Sequence, residues 1–202
     1  MNDRLCALIA REQKRQDGRC EIRSLLHNEL GVILPLHVSL SRPLTLKTKQ
    51  RDAFLQQARR KVADCTVRTF HVAVEALRWH PNENRTRWFL VLQLHTVKGD
   101  ELERLLATCN AAADAFEQPL LYAEPADESA GASKFHISIG WSLVEPMPTE
   151  EGAATSKDTG HGSSREDFKS LTVKFSEVKV RIGQDVSSVS LPPARPKKGL
   201  FT

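Results

Sequence analysis

The chain has 202 residues, of which 40% are apolar and 27% charged, enough for one domain with a full core or for two small lobes sharing one. A net charge of +4 and a pI near 9.0 suit a polyanionic partner, because clustered Lys and Arg attract phosphate. No segment approaches the run of about 18 apolar residues that a membrane span needs, and the four cysteines, Cys6, Cys20, Cys65 and Cys109, include no Cys-x-x-Cys pair, which argues against a zinc ribbon or redox motif and for reduced thiols.

The first stretch, MNDRLCALIAREQKRQ, turns basic after a short apolar run and is not a secretory signal peptide. Residues 1–30 read as helix interrupted at Asp17-Gly18. VILPLHVSLS (32–41) alternates as a strand, with Leu36, Val38 and Leu40 on one face and His37, Ser39 and Ser41 on the other, until Pro43 ends it. Residues 48–64 read as an amphipathic helix, with Phe54, Leu55, Ala58 and Val62 at helical spacing. TFHVAVEALRW (69–79) and RWFLVLQLH (87–95) then form strands joined by the turn cluster PNENRTR, a hairpin. A second helix is expected from about Asp100 to Phe116, then a loop, then the strand KFHISIGW (134–141).

Residues 146–166 are rich in Gly, Ser, Thr and charge and read as a disordered insertion. Order should return with LTVKFSEVKVRIG (171–183), one strand with a bulge near Ser176, paired with SSVSL (187–191) as a hairpin. Residues 193–202 read as a flexible tail. The order α-β-α-β-β-α-β-β-β repeats strand–helix–strand and predicts an α+β domain of two related lobes, formed by 1–145 and 167–192, each offering a sheet to a shared groove.

LHVSLS (36–41) and FHISIG (135–140) share one pattern: apolar, His, apolar, Ser, apolar, small. Residues i and i+2 of a strand share a face, so each motif would present one imidazole and one hydroxyl together. A lone His in an apolar strand is more often a hydrogen-bonded structural residue; two matched motifs are harder to explain that way. Their chemistry suits a phosphodiester of RNA. One imidazole can take the proton of the attacking 2′-hydroxyl and the other can give one to the leaving 5′-oxygen, since His titrates near neutrality. The serines can donate to the non-bridging oxygens as charge develops. No metal or cofactor is required, and the product would be a 2′,3′-cyclic phosphate.

These residues resemble the 2H phosphoesterase superfamily and, within it, the U6 small nuclear RNA phosphodiesterase family. LHVSLSRPLTL (36–46), NENRTRWFLVLQL (82–94), Tyr122 to Pro125 with KFHISIGWSL (134–143), and VKVRIGQDVSSVSLP (178–192) carry the likeness, in the family's order. The resemblance implies two pseudo-symmetric lobes with antiparallel sheets facing a central groove. It implies a 3′-to-5′ exoribonuclease, acting in the nucleus as a monomer on RNA with a uridine-rich 3′ end, the tail of U6 RNA. It implies catalysis by His37 and His136, with His136 as base and His37 as acid, phosphate contacts from Ser39 and Ser138, and base stacking on Tyr122. It also implies a further strand ahead of the first motif, for which residues 1–35 offer no equivalent, so the lobe bearing His37 is expected to lack an edge. The insertion ADESAGAS lies between Tyr122 and His136.

Two other readings fit the same motifs: a cyclic phosphodiesterase acting on other RNA ends or small nucleotides, and a non-catalytic RNA-binding subunit. His27, His71, His80, His95 and His161 have no matched partner and read as surface or structural residues. Trp79, Trp88 and Trp141 read as core or rim packing. Arg85 and Arg87 sit in the hairpin, where phosphate contact and a solvated turn are both open. A metal site from His37 and His136 lacks a further ligand at suitable spacing.

Overall fold

The computed structural model describes residues 2–122, 134–147 and 170–194. The expected insertion beyond Met147, the tail beyond Ala194 and the ADESAGAS loop lie outside the described residues. The chain divides into two compact units: Met1–Val38, Ala73–His95 and Ser133–Thr172 form the first, and Ser39–Val72, Thr96–Ala132 and Val173–Thr202 form the second.

The first unit begins with helix α1 (Asn2–Arg15), whose stripe Leu5, Leu8 and Glu12 is buried. Asp3 in its first turn and Lys14 and Arg15 in its last complement the helix dipole. Asp17 (φ 48°) and Gly18 (φ 72°) then take left-handed conformations and stop it. The helix does not resume, contrary to the reading of residues 1–30 as helical. The Gln13 side chain spans the break instead, donating to the Cys20 carbonyl at 2.8 Å and accepting from the Ile22 amide at 2.7 Å. This turns the chain into the short strand β1 (Arg23–Ser24).

Strands β2 (Phe70–Pro81), β3 (Trp88–Leu94), β4 (His136–Ser142) and β5 (Thr172–Phe175) complete a five-stranded sheet of order β1-β4-β3-β2-β5. The β1–β4, β4–β3 and β3–β2 pairs are antiparallel. Two bulges interrupt its registers. Glu75 is the extra residue between Val74, opposite Leu94, and Ala76, opposite Gln93. Ile139 is the extra residue between Ser138, opposite Val91, and Gly140, opposite Leu90.

Residues 32–41 are not a strand, which corrects the expectation for the first motif. The predicted alternation survives in exposure: Leu36, Val38 and Leu40 are half-buried while His37, Ser39 and Ser41 are exposed. The ladder is missing because, among the described residues, no strand pairs with the segment. Its one bridge joins Ile33 to His27, and Pro35 has no amide to donate.

In the second unit a 3-10 turn (Thr48–Gln50) leads into α2 (Arg51–Asp64). Helix α3 (Glu101–Asp114) is capped by Asp100, whose side chain accepts from the Glu103 amide. The core joins Phe54, Ala58 and Ala112 to Leu44, Leu46, Phe116 and Val180, and Phe54 meets Phe116 edge-to-face at 5.3 Å. The predicted strand 171–183 is instead two, β5 and β6 (Glu177–Ile182), in separate sheets; β6 pairs with β7 (Asp185–Ser190). The break falls at Ser176, where the expected bulge becomes a full change of sheet and the Leu191 amide donates to the Ser176 carbonyl. The mixture of helices with antiparallel strands is the α+β class anticipated.

All four cysteines are free, and burial pushes the Cys109 thiol up to about 11. Among the described residues no helix is long and apolar enough to cross a membrane.

Candidate active site

Strand β4 presents the second motif as the alternation predicts. Phe135, Ile137 and Ile139 are 1%, 3% and 0% exposed, while His136 and Ser138 are half-buried on the other face. Opposed residues of an antiparallel pair share a face, so the registers extend this one across the sheet. His136 stands opposite Gln93. Ser138 stands opposite Val91, and Val91 opposite Arg78. Trp141 stands opposite Phe89, and Phe89 opposite His80. The reverse face carries Leu77, Leu90, Leu92 and Ile137 into the core. There the Trp79 indole donates to the buried carboxylate of Glu12 in α1 at 2.8 Å.

His136 is held in one tautomer. Its Nδ1 lies 3.3 Å from the Lys134 carbonyl, which can only accept, so Nδ1 carries the hydrogen and Nε2 keeps its lone pair. The ring stacks on His80, with centroids 5.4 Å apart and planes 13° apart. Their partners in β3 are four residues apart, roughly 13 Å along a flat strand, so the sheet must curl for the rings to meet. Burial lowers the pKa of His136; the Lys134 carbonyl opposes that and the charge of His37 adds to it. Burial also lowers the pKa of His80, with the charges of His136 and Arg78 acting the same way. His37 itself is exposed.

The first unit thus holds His37, His136 and Ser138, whereas Ser39 and Tyr122 belong to the second. Ser39 is exposed. Tyr122 is 39% exposed and takes a left-handed backbone, φ 54°, sparsely populated for a bulky residue. Asn110 of α3 steadies its neighbour, donating to the Leu121 carbonyl at 2.9 Å and accepting from the Leu121 amide at 3.0 Å.

The hairpin residues have partners within the protein. The Asn82 side chain accepts from the Thr86 and Arg87 amides at 2.8 and 3.1 Å, closing the turn. Arg85 pairs with Glu145 at 2.9 Å, and Arg87 lies 4.3 Å over the Trp141 ring, which Arg23 also approaches at 5.0 Å. His27 meets the Asn2 side chain at 3.0 Å.

Sequence reasoning missed Arg78 and His80 at this face. In β2 the apolar set runs Phe70, Val72, Val74 and then switches to Leu77 and Trp79. That switch marks the bulge at Glu75, after which Arg78 and His80 lie opposite the core face.

A family model described as HVSL, an uncharacterised conserved protein, matches residues 1–190. U6 snRNA phosphodiesterase 1 of Neurospora crassa is 32% identical over 184 residues, which covers 81% of this chain and 50% of that protein. The chain therefore spans about half the length of this curated relative. Two Kluyveromyces marxianus Usb1 structures, one of them with uridine monophosphate, share the fold with a TM-score of 0.62 at 15% and 16% identity. Each comparison covers 94% of this chain and 92% of the other.

Proposed function

The chain belongs to the HVSL family, and from that premise we propose that it is a metal-independent RNA phosphodiesterase. It trims the uridine-rich 3′ end of U6 small nuclear RNA in the 3′-to-5′ direction. The activity of the Neurospora crassa relative supports the substrate class, and the uridine monophosphate of the Kluyveromyces marxianus Usb1 structure fits a uridine end. In this reading the protein works as a monomer in the nucleus.

The observation that carries the mechanism is the state of His136. Its Nδ1 is committed to the Lys134 carbonyl, and burial together with His37 favours the neutral ring. Nε2 is then an available base at neutral pH. It takes the proton of the 2′-hydroxyl of the penultimate nucleotide, whose oxygen attacks the adjacent phosphorus. The P–O5′ bond breaks, and His37 gives the leaving oxygen a proton. The shortened RNA ends in a 2′,3′-cyclic phosphate, and water in place of the 2′-hydroxyl would open it with the same groups. Ser138 and Ser39 donate to the non-bridging oxygens, and Tyr122 stacks on the terminal base, a contact worth roughly 1–3 kcal/mol.

The test is a 5′-labelled oligouridylate incubated in EDTA with the wild-type protein, His37→Ala and His136→Ala. A 3′-end ladder from the wild type, reduced about 10²- to 10⁴-fold in either variant, is the expected result. Binding without cleavage by the folded wild type would replace this reading with that of an RNA clamp.

A further inference from the structure

Strand β2 brings a cation to the same face as the second motif. Arg78 stands opposite Val91, which stands opposite Ser138, so guanidinium and hydroxyl project from one face, two strands apart. Val91 between them is 0% exposed. The Arg78 Nε is buried and has no hydrogen-bond partner among the described residues. Buried donors are nearly always satisfied, and one left open calls for an explanation. Among the described residues no carboxylate forms an ion pair with Arg78. His80 follows two residues along the strand and feels the Arg78 charge, and His80 in turn stacks on His136. The other arginines near this face, Arg23 and Arg87, lie over Trp141.

A planar guanidinium with an open Nε matches the paired oxygens of a phosphate. We propose that Arg78 binds the non-bridging oxygens of the scissile phosphate, beside Ser138, as the anion-binding residue of this site. The proposal rests on the phosphodiesterase reading and adds a residue that the His-x-Ser motifs do not contain. It also accounts for the electrostatics of the face: the histidines can stay neutral for proton transfer because a guanidinium cation meets the charge of the phosphate. The position needs a cation and the fork geometry, so lysine would keep the charge and lose the paired contact.

The experiment compares two uncleavable 2′-deoxyuridine oligonucleotides, with an ordinary phosphodiester or a neutral methylphosphonate at the last linkage. Binding is measured for the wild type, Arg78→Lys and Arg78→Met, after thermal melts show that each variant folds. The wild type should prefer the charged linkage by on the order of 10- to 100-fold. Arg78→Met should lose that preference while binding the neutral linkage as the wild type does, and Arg78→Lys should keep part of it. A purely structural role would weaken both ligands alike. Equal discrimination by wild type and Arg78→Met, or none in the wild type, overturns the proposal. Cleavage of oligouridylate in parallel separates the two ideas: a wild type that cleaves while Arg78→Met still discriminates loses Arg78 alone, and a wild type that discriminates without cleaving loses the catalytic reading alone.

Discussion

The imidazoles of His80 and His136 lie stacked, 5.4 Å apart, although they come from strands separated by a third. Two rings so close resist carrying two protons, so each protonation discourages the other. His136→Phe keeps the flat surface and removes the competing charge. The pKa of His80 should then rise toward its ordinary value, as far as burial and the Arg78 charge allow. An NMR titration of His80 in both proteins checks this, and an unmoved titration would show that the stack is only packing.

The same depressed pKa values make stability pH-dependent. Above the unfolded value, near 6.5, both rings are neutral in both states and their contribution is fully present. As pH falls from there toward the lowered folded values, the unfolded chain binds protons that the folded one refuses, and stability declines. The wild-type melting temperature should drop between pH 7.5 and 5, and His80→Phe should drop less. Equal slopes for the two proteins would rule out His80 as a contributor.

Gly140 has little room for a side chain. A Cβ there would lie 3.0 Å from Ile22 Cγ2 and 3.3 Å from the Arg23 carbonyl oxygen, where β1 pairs with β4. Gly140→Ala should cost about 1–3 kcal/mol, read from the denaturant midpoint. It should also lower activity, because the displaced strand carries Ser138 and His136.

Glu12 is a buried carboxylate kept charged. Burial would raise its pKa, but hydrogen bonds from Arg15, Trp79 and Gln16 outweigh burial and lower it. Glu12→Ala strands the Trp79 indole donor, while the partly exposed Arg15 can be rehydrated. A loss of about 1–3 kcal/mol is expected, with a change in tryptophan fluorescence. In the wild type this contribution is present above the ordinary carboxylate pKa and fades as pH falls through the lowered one. A melting temperature unchanged by the substitution would mark the cluster as dispensable.

Much of this site is legible in the sequence because it depends on strict alternation. Phe135, Ile137 and Ile139 sink into the core and leave His136 and Ser138 on the other face, as period two requires. The first motif shows the limit of the rule. Its apolar and polar residues alternate in exposure just as clearly, yet pattern does not say whether a neighbouring strand exists to pair with it. Tyr122 shows another limit, since its left-handed backbone and the Asn110 contacts to Leu121 have no period to reveal them. The hairpin NENRTR was informative for a different reason than its charge: Asn82 builds the turn, and the arginines are engaged with Glu145 and Trp141.

The bulge at Glu75 acts on β2 as a frameshift acts on a message. Every residue after it is read out on the opposite side of the sheet, and for that reason a cation and an imidazole stand beside Ser138 and His136 instead of against α1. Such a site is tolerant of many substitutions in β2 but not of a change in its length. Inserting a single residue between Ala76 and Leu77 would leave the composition of the strand almost untouched and bring Leu77 and Trp79 onto the face of Ser138 and His136. The protein's chemistry is therefore stored partly in a count of residues, a quantity that no side chain by itself displays.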